Sequence, residues 1–534
     1  MSAVGSRVPR AASAALVALY VLLFPYHPGL RSPNELCRLW QTRALVEYGT
    51  LDINQALRDF GYVGDLSVKD GRYYPSKAPL LSFAAVPGYA LLRAASGGFL
   101  LAVGELPLVF FSRLLLTVLP TLGLLWLVRR FLLAWVSPPV ADALTVTYGL
   151  GSLAFSYSLL FMSHQTTAVL LFGGFYALWR RARGEGGAGY DVVAGACAGA
   201  TVAAEYTGAL GVLGLVLYAV LSRLWSGGTP RERARALGGG AGLALLGALP
   251  FVVGLMLYHQ AAFGHPLASG YKYLNDAAYQ PWHLGGFLGI RYPDPRAFAL
   301  SFFSPLRGLF VLSPFLLLAL PGVWLLGRET RAGGERRAHF WLVVALLGGY
   351  TYFTSAFSYD SWGWTTGPRH LTGLVPFLLL PVGLVLERLR GAGAPVLRGA
   401  AAALCAASLV FTGLATFVNY VPDDVSNVLL GLAVPLVRAG YLPPNVLNLL
   451  GLTNPWAGGL LLLLLLGVAG WVFVRVGADG ARGSTALSLG AGVGVLALLL
   501  GLQVATVRHD AADAGAVRFL EQQWLVPPGH TLRF

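Results

Sequence analysis

The chain reads as an all-α integral membrane protein of about thirteen transmembrane helices with a long first extracytoplasmic loop, and three observations carry that reading. Hydrophobic residues make up 56% of the 534 and charged residues only 12%. Soluble domains carry about a quarter charged residues, so a soluble enzyme on a membrane anchor is excluded. Apolar stretches recur along almost the whole length, which gives the sequence a mean hydropathy of +0.64. The basic residues, finally, alternate between the connections in a way that a membrane topology explains.

Spans are expected near 11–27, 105–128, 139–161, 166–179, 190–205, 207–222, 237–258, 308–326, 339–357, 371–387, 399–420, 457–474 and 486–506. With the N-terminus cytoplasmic, short inside segments hold twenty of the 38 basic residues, including Arg129 with Arg130, Arg180 with Arg181 and Arg183, and Arg231 with Arg233 and Arg235. The much longer outside segments hold seventeen, and Arg113 lies within a span. This topology, rather than nucleic-acid binding, accounts for the formal charge of +14. Residues 78–92 are apolar enough to span, but counting them would turn the paired arginines outward. They are therefore expected to form an interfacial or re-entrant helix broken by Pro87 and Gly88.

The first span follows Arg7 and Arg10 without a clean small-residue cleavage site and reads as a retained anchor. Gly/Ala-rich stretches near 186–200 and 238–247 read as close helix packing rather than linkers. Cys37, Cys197 and Cys405 are too scattered for a disulfide framework or a metal site, and no His/Cys/carboxylate spacing names a metal. Residues 1–420 form the expected core with outside loops 28–104 and 259–304. Residues 421–534 add a further loop, two spans and a short tail.

Inside loops of about ten to thirteen residues cannot build a nucleotide-binding domain, whereas the outside segments are long and rich in Tyr, Trp, Pro and His. No phosphate loop of the Walker type is present, and no cofactor is expected. Chemistry on the outer face would then draw on an activated substrate carried in the membrane, a lipid-linked donor.

Glu35, in SPNELCR (32–38), follows the first span and is placed to act as a base at the membrane surface. The competing reading is a surface pair with Arg38 three residues on. Lys77, in YYPSKAPL (73–80), and Arg369, in WGWTTGPRHL (362–371), could hold a phosphate leaving group; the alternatives are a snorkelling cation and a topological anchor. Arg113, about eight residues into the second span, needs a partner or a function, and with Arg38 joins the candidate phosphate ligands. His164, Glu205 with Tyr206, Lys272 and His370 are candidates for positioning substrate. The segment 259–304, with Trp282, His283, Arg291, Tyr292 and Asp294, suits stacking on a sugar, although aromatic membrane belts have the same composition.

The order of these features resembles the GT-C glycosyltransferases, multi-spanning enzymes that take sugars from polyprenyl-phosphate carriers on the extracytoplasmic face. Their first outside loop often carries Asp-Glu followed closely by Arg, and here reads Asn34-Glu35 with Arg38. YYPSKAPL looks like the Lys-Pro signature of the lipid A aminoarabinose transferases, and SPLRGLFVLSP (304–314) with WGWTTGPRHL looks like segments of the protein O-mannosyltransferase-like group. The resemblance covers roughly residues 11–420. It implies that Glu35 is the catalytic carboxylate, that Lys77 meets the donor phosphate, and that a sugar is passed, with inversion if by single displacement, to a lipid, glycan or protein acceptor. It also implies a place in the plasma (inner) membrane with the active site outside. The chain departs from the pattern at His164-Gln165, where many relatives have an acid, and in its short tail. A lipid or solute transporter is the alternative, but neither a paired repeat nor a midplane carboxylate supports it.

Overall fold

The computed structural model describes residues 10–26, 32–99, 106–286, 288–357, 363–391, 393–440, 442–453, 455–478 and 482–524. The first residues of the expected loop 28–104, Trp362 and the end of the tail lie outside the described residues.

The fold is a bundle of helices, the main ones in chain order being α1 (Arg10–Leu22), α2 (Pro33–Arg43), α3 (Asn54–Phe60), α4 (Leu80–Ala95) and α5 (Leu106–Leu132). There follow α6 (Pro138–Leu150), α7 (Leu153–Ser158), α8 (Ser163–Ala182), α9 (Gly189–Ala204), α10 (Ala209–Leu224) and α11 (Pro230–Phe263). The last are α12 (Pro295–Phe303), α13 (Ala319–Arg328), α14 (Gly334–Ala356), α15 (Leu379–Gly391), α16 (Pro395–Val418), α17 (Trp456–Gly477), α18 (Arg482–Thr506) and α19 (Ala511–Trp524). Among the described residues, six helices are long and apolar enough to cross a membrane, among them α5, α11, α16 and α17. The chain is an integral membrane protein. Several expected spans are shorter or interrupted: the one at 139–161 divides into α6 and α7 at Gly151-Ser152, and the one at 308–326 is a chain of short turns ending in α13.

The Gly/Ala stretches form a close helix contact. A Cβ on Gly195 of α9 would lie 1.8 Å from the Ala244 carbonyl oxygen of α11, and one on Gly247 would lie 2.0 Å from that of Val192. Only glycine allows the two backbones to meet there. Thr229 and Glu232 start α11 with a reciprocal capping box, and Gly264, at φ +77°, ends it. At 34 residues α11 is roughly 50 Å long against a hydrocarbon layer of ~30 Å, so both its arginine-rich start and its last turn clear that layer.

The segment after α1 is a separate layer with its own apolar core, built on Leu39, Trp40, Ile53, Leu66, Leu81 and Tyr89. Two differences from expectation lie here. Helix α4 is continuous through Pro87 and Gly88, since a single proline removes one helical hydrogen bond without ending the helix when its faces are packed. The segment also contains strands: β1 (Leu66–Lys69) and β2 (Arg72–Pro75) pair antiparallel with Leu66 opposite Pro75 and Lys69 opposite Arg72. Asp70 and Gly71, at φ 51° and 73°, form the two-residue turn whose twist matches that of the strands.

Candidate active site

Closing the hairpin brings its two flanks together. Ser76 N donates to the Asp65 carbonyl at 2.8 Å, and Lys77 Nζ then lies 2.9 Å from Asp65 Oδ1. Segment 259–304 is tied to the same hairpin: Asn275 N donates to Leu66 O at 2.9 Å and Ser67 Oγ to Gly270 O at 2.7 Å. Between these loops and the ends of α10, α11 and α14 is a cavity of about 1580 Å³.

Its polar part is lined by Asp65, Lys77, Arg369 and His370, with Tyr206, His259, Tyr271 and His283 around them. Burial works against ionisation of both Asp65 and Lys77, but each is the other's main counter-charge: the carboxyl of Asp65 is held below its usual range by Lys77, with Arg369 and Arg38 helping, and the Lys77 ammonium is raised. Arg369 thus acts on both members of the pair, and its Nε is buried with no hydrogen-bond partner among the described residues. His283 stacks on Tyr271, ring centroids 4.3 Å apart, and burial together with Lys77 lowers its pKa to about 4, leaving a neutral ring. The Tyr206 hydroxyl and His259 Nε2 are 2.9 Å apart.

The other part of the cavity is apolar. Leu213 of α10 and Val252 and Met256 of α11 line it while being 66%, 44% and 37% exposed on helices whose outer surfaces are continuous apolar faces. Gly348 and Gly349 of α14 line it too, beside Tyr352 and Phe353 of the same helix. The cavity joins an end that carries Lys77 and Arg369 to an apolar side wall exposed on the outside of α10 and α11.

Five of the sequence-derived candidates, Lys77, Arg369, Tyr206, Lys272 and His370, line this cavity, and five do not. Glu35 is buried outside the wall, gripped by Arg113 through two bonds of 2.8 and 2.9 Å, and also accepts from Phe161 N at 2.6 Å. Glu35 therefore sits in a buried ion pair away from the cavity, and Arg113, which further donates to Pro25 O, is turned to that pair rather than to the cavity. The surface pair of Glu35 with Arg38 is not formed either: Arg38 binds both the Asn34 side chain and, at 3.1 Å, Ser163 Oγ. Ser163 Oγ passes on to Glu205 Oε2 at 2.6 Å, and His164 Nδ1 lies 3.9 Å from the same oxygen. Arg38, Ser163, Glu205 and His164 are a buried polar layer behind the wall, connected to it where the His164 and His370 rings meet at 5.3 Å.

Asp65 was not among the expected residues. The signal was present in GDLSVKDGRYYPSK, where alternating residues flank Asp70-Gly71. Read as a hairpin, that segment sets Asp65 opposite Ser76 and so beside Lys77, the next residue.

Fold and cavity together define a polytopic helical membrane protein with a chemically mixed chamber beneath its long loops. No known protein family's profile matches the sequence, and no curated protein does. Among solved structures, it is similar to ArnT from Cupriavidus metallidurans bound to undecaprenyl phosphate, at 17% identity and a TM-score of 0.47 over 92% of this chain and 78% of that one. The apo form of the same protein gives 16% identity and a TM-score of 0.46, over 99% and 90%. The oligosaccharyltransferase of Archaeoglobus fulgidus gives 12% and 0.37, and there the chain spans only 61% of the other's length.

Proposed function

We propose that the protein is a membrane glycosyltransferase of the GT-C type, which moves a sugar from a polyprenyl-phosphate donor to an acceptor on the extracytoplasmic face. One observation carries the reading: a single cavity places Lys77 and Arg369 at one end and the lipid-exposed Leu213, Val252 and Met256 along its side. That pairing suits an amphiphile with an anionic head and a long apolar tail. The tail enters from the membrane past α10 and α11, and the phosphate meets the two cations, which stabilise it increasingly as the sugar–phosphate bond breaks and negative charge grows on the leaving oxygen. The acceptor hydroxyl attacks the anomeric carbon from the opposite side, so a single displacement inverts that centre. Tyr206, His259, Tyr271 and His283 present hydroxyls, neutral ring nitrogens and flat ring faces of the kind that position a sugar. The arginine distribution supports a topology with the loops, and the cavity with them, outside the plasma membrane and the N-terminus in the cytoplasm. Mass spectrometry of envelope glycans and glycolipids from cells with and without the protein tests this: a glycan of one fewer sugar in its absence is expected, and identical profiles would contradict it.

A further inference from the structure

We propose that Asp65 is the base that takes the acceptor's proton, and that its ion pair with Lys77 holds it idle until a donor phosphate draws Lys77 away. This rests on the glycosyl-transfer reading above.

Three observations point to Asp65. It lines the cavity, whereas Glu35 is sealed behind the wall by Arg113 and Phe161. It has φ +58°, a left-handed backbone that costs a non-glycine residue free energy and that the hairpin closure, through Ser76 N, enforces. Its Oδ1 sits 2.9 Å from Nζ of the lysine best placed to meet a phosphate. The other carboxylate in the described wall, Asp423, is held at 2.5 Å by Arg307, which also donates to Val421 O. Asn34, in the position where the resembling enzymes carry an acid, lines the cavity too but has no proton-accepting charge and is bound by Arg38.

While Lys77 is on Asp65, the carboxylate is a poor proton acceptor. A lipid-linked phosphate brings a competing anion to Lys77 and Arg369; the ammonium turns to it and the Asp65 carboxylate is released one sugar away from the phosphate. The acceptor O–H then gives its proton to Asp65 as its oxygen bonds to the anomeric carbon. The carbon–oxygen bond to phosphate breaks with its electron pair on the phosphate oxygen, and polyprenyl phosphate leaves with the added negative charge. Donor must bind before the base is active, which guards the outward-facing site against deprotonating acceptor or water to no purpose.

The test uses the full-length detergent-purified protein with undecaprenyl phosphate as probe, together with the rate of product appearance in cells complemented by each variant. Asp65→Asn is chosen because asparagine accepts the same left-handed backbone; Asp65→Ser is the second variant. Both should bind undecaprenyl phosphate at least as tightly as wild type, because Lys77 is no longer held back, while product formation falls by ~10²-fold or more, as for loss of a general base. Product formation within a few-fold of wild type would overturn the proposal. So would weakened probe binding in both variants, which would make Asp65 a positioning residue for Lys77. Failure of the wild type to bind the probe or to form any product would instead overturn the glycosyl-transfer reading itself.

Discussion

Glu35 and Asp65 lie in the same loop, and sequence spacing favours the first: it follows the membrane span directly and has a basic residue one helical turn on. What the spacing could not show is that Arg113, 78 residues later, reaches Glu35 with a bidentate grip inside the protein. The need of Arg113 for a partner was legible from its position in a span; which partner was not, because the contact is tertiary. This changes the expected behaviour of Glu35→Gln. Removing the charge leaves the Arg113 guanidinium buried without its counter-ion, a loss of about 3–5 kcal/mol in stability. Thermal unfolding in detergent should show a clear drop in midpoint for Glu35→Gln, with the folded fraction still turning over. An unchanged midpoint with lost turnover would return the base role to Glu35.

At the scale of elements, the hairpin is the device that makes the site. Helical periodicity dominates the sequence and masks two four-residue strands, although Asp70-Gly71 between alternating residues is the signal of a hairpin. The small-residue stretches were more readable, since a glycine run in an apolar segment has few uses other than close packing, and α9 and α11 meet there. Pro87 misled in the other direction: its backbone effect is local, while the packing of α4 against α2 keeps the helix whole. Gly71, at φ +73°, touches nothing that a Cβ would meet, so Gly71→Val acts through the backbone alone. The strain of about 1–2 kcal/mol loosens the turn and, through it, the placement of Asp65 and Lys77. Undecaprenyl phosphate affinity should fall severalfold although residue 71 does not line the cavity; unchanged affinity would mean that the hairpin does not set the position of Lys77.

Across the whole molecule, the apolar spans and the alternation of arginines were plain in the sequence because both follow from the bilayer as solvent. The cavity was not, since it is assembled from residues as distant as Asp65, Met256 and Arg369. The orientation is open to direct labelling. Cysteines introduced at positions 60 and 290 should react with an impermeant thiol reagent on intact cells, and those at 185 and 333 should not. Labelling at 185 would reverse the topology and place α4 across the membrane.

The central claim is that Lys77 and Arg369 together receive the phosphate of a membrane-borne donor, and the most direct measurement compares two lipids that differ only in that group. Binding of undecaprenyl phosphate and of undecaprenol to the purified full-length protein should differ at least tenfold in favour of the phosphate, about 1.4 kcal/mol or more. Lys77→Met and Arg369→Met should each remove most of that preference while leaving the weak binding of the alcohol unchanged, because the tail's contacts with α10 and α11 remain. Equal affinity for the two lipids in the wild type, or a preference for the phosphate that survives both substitutions, would contradict the assignment.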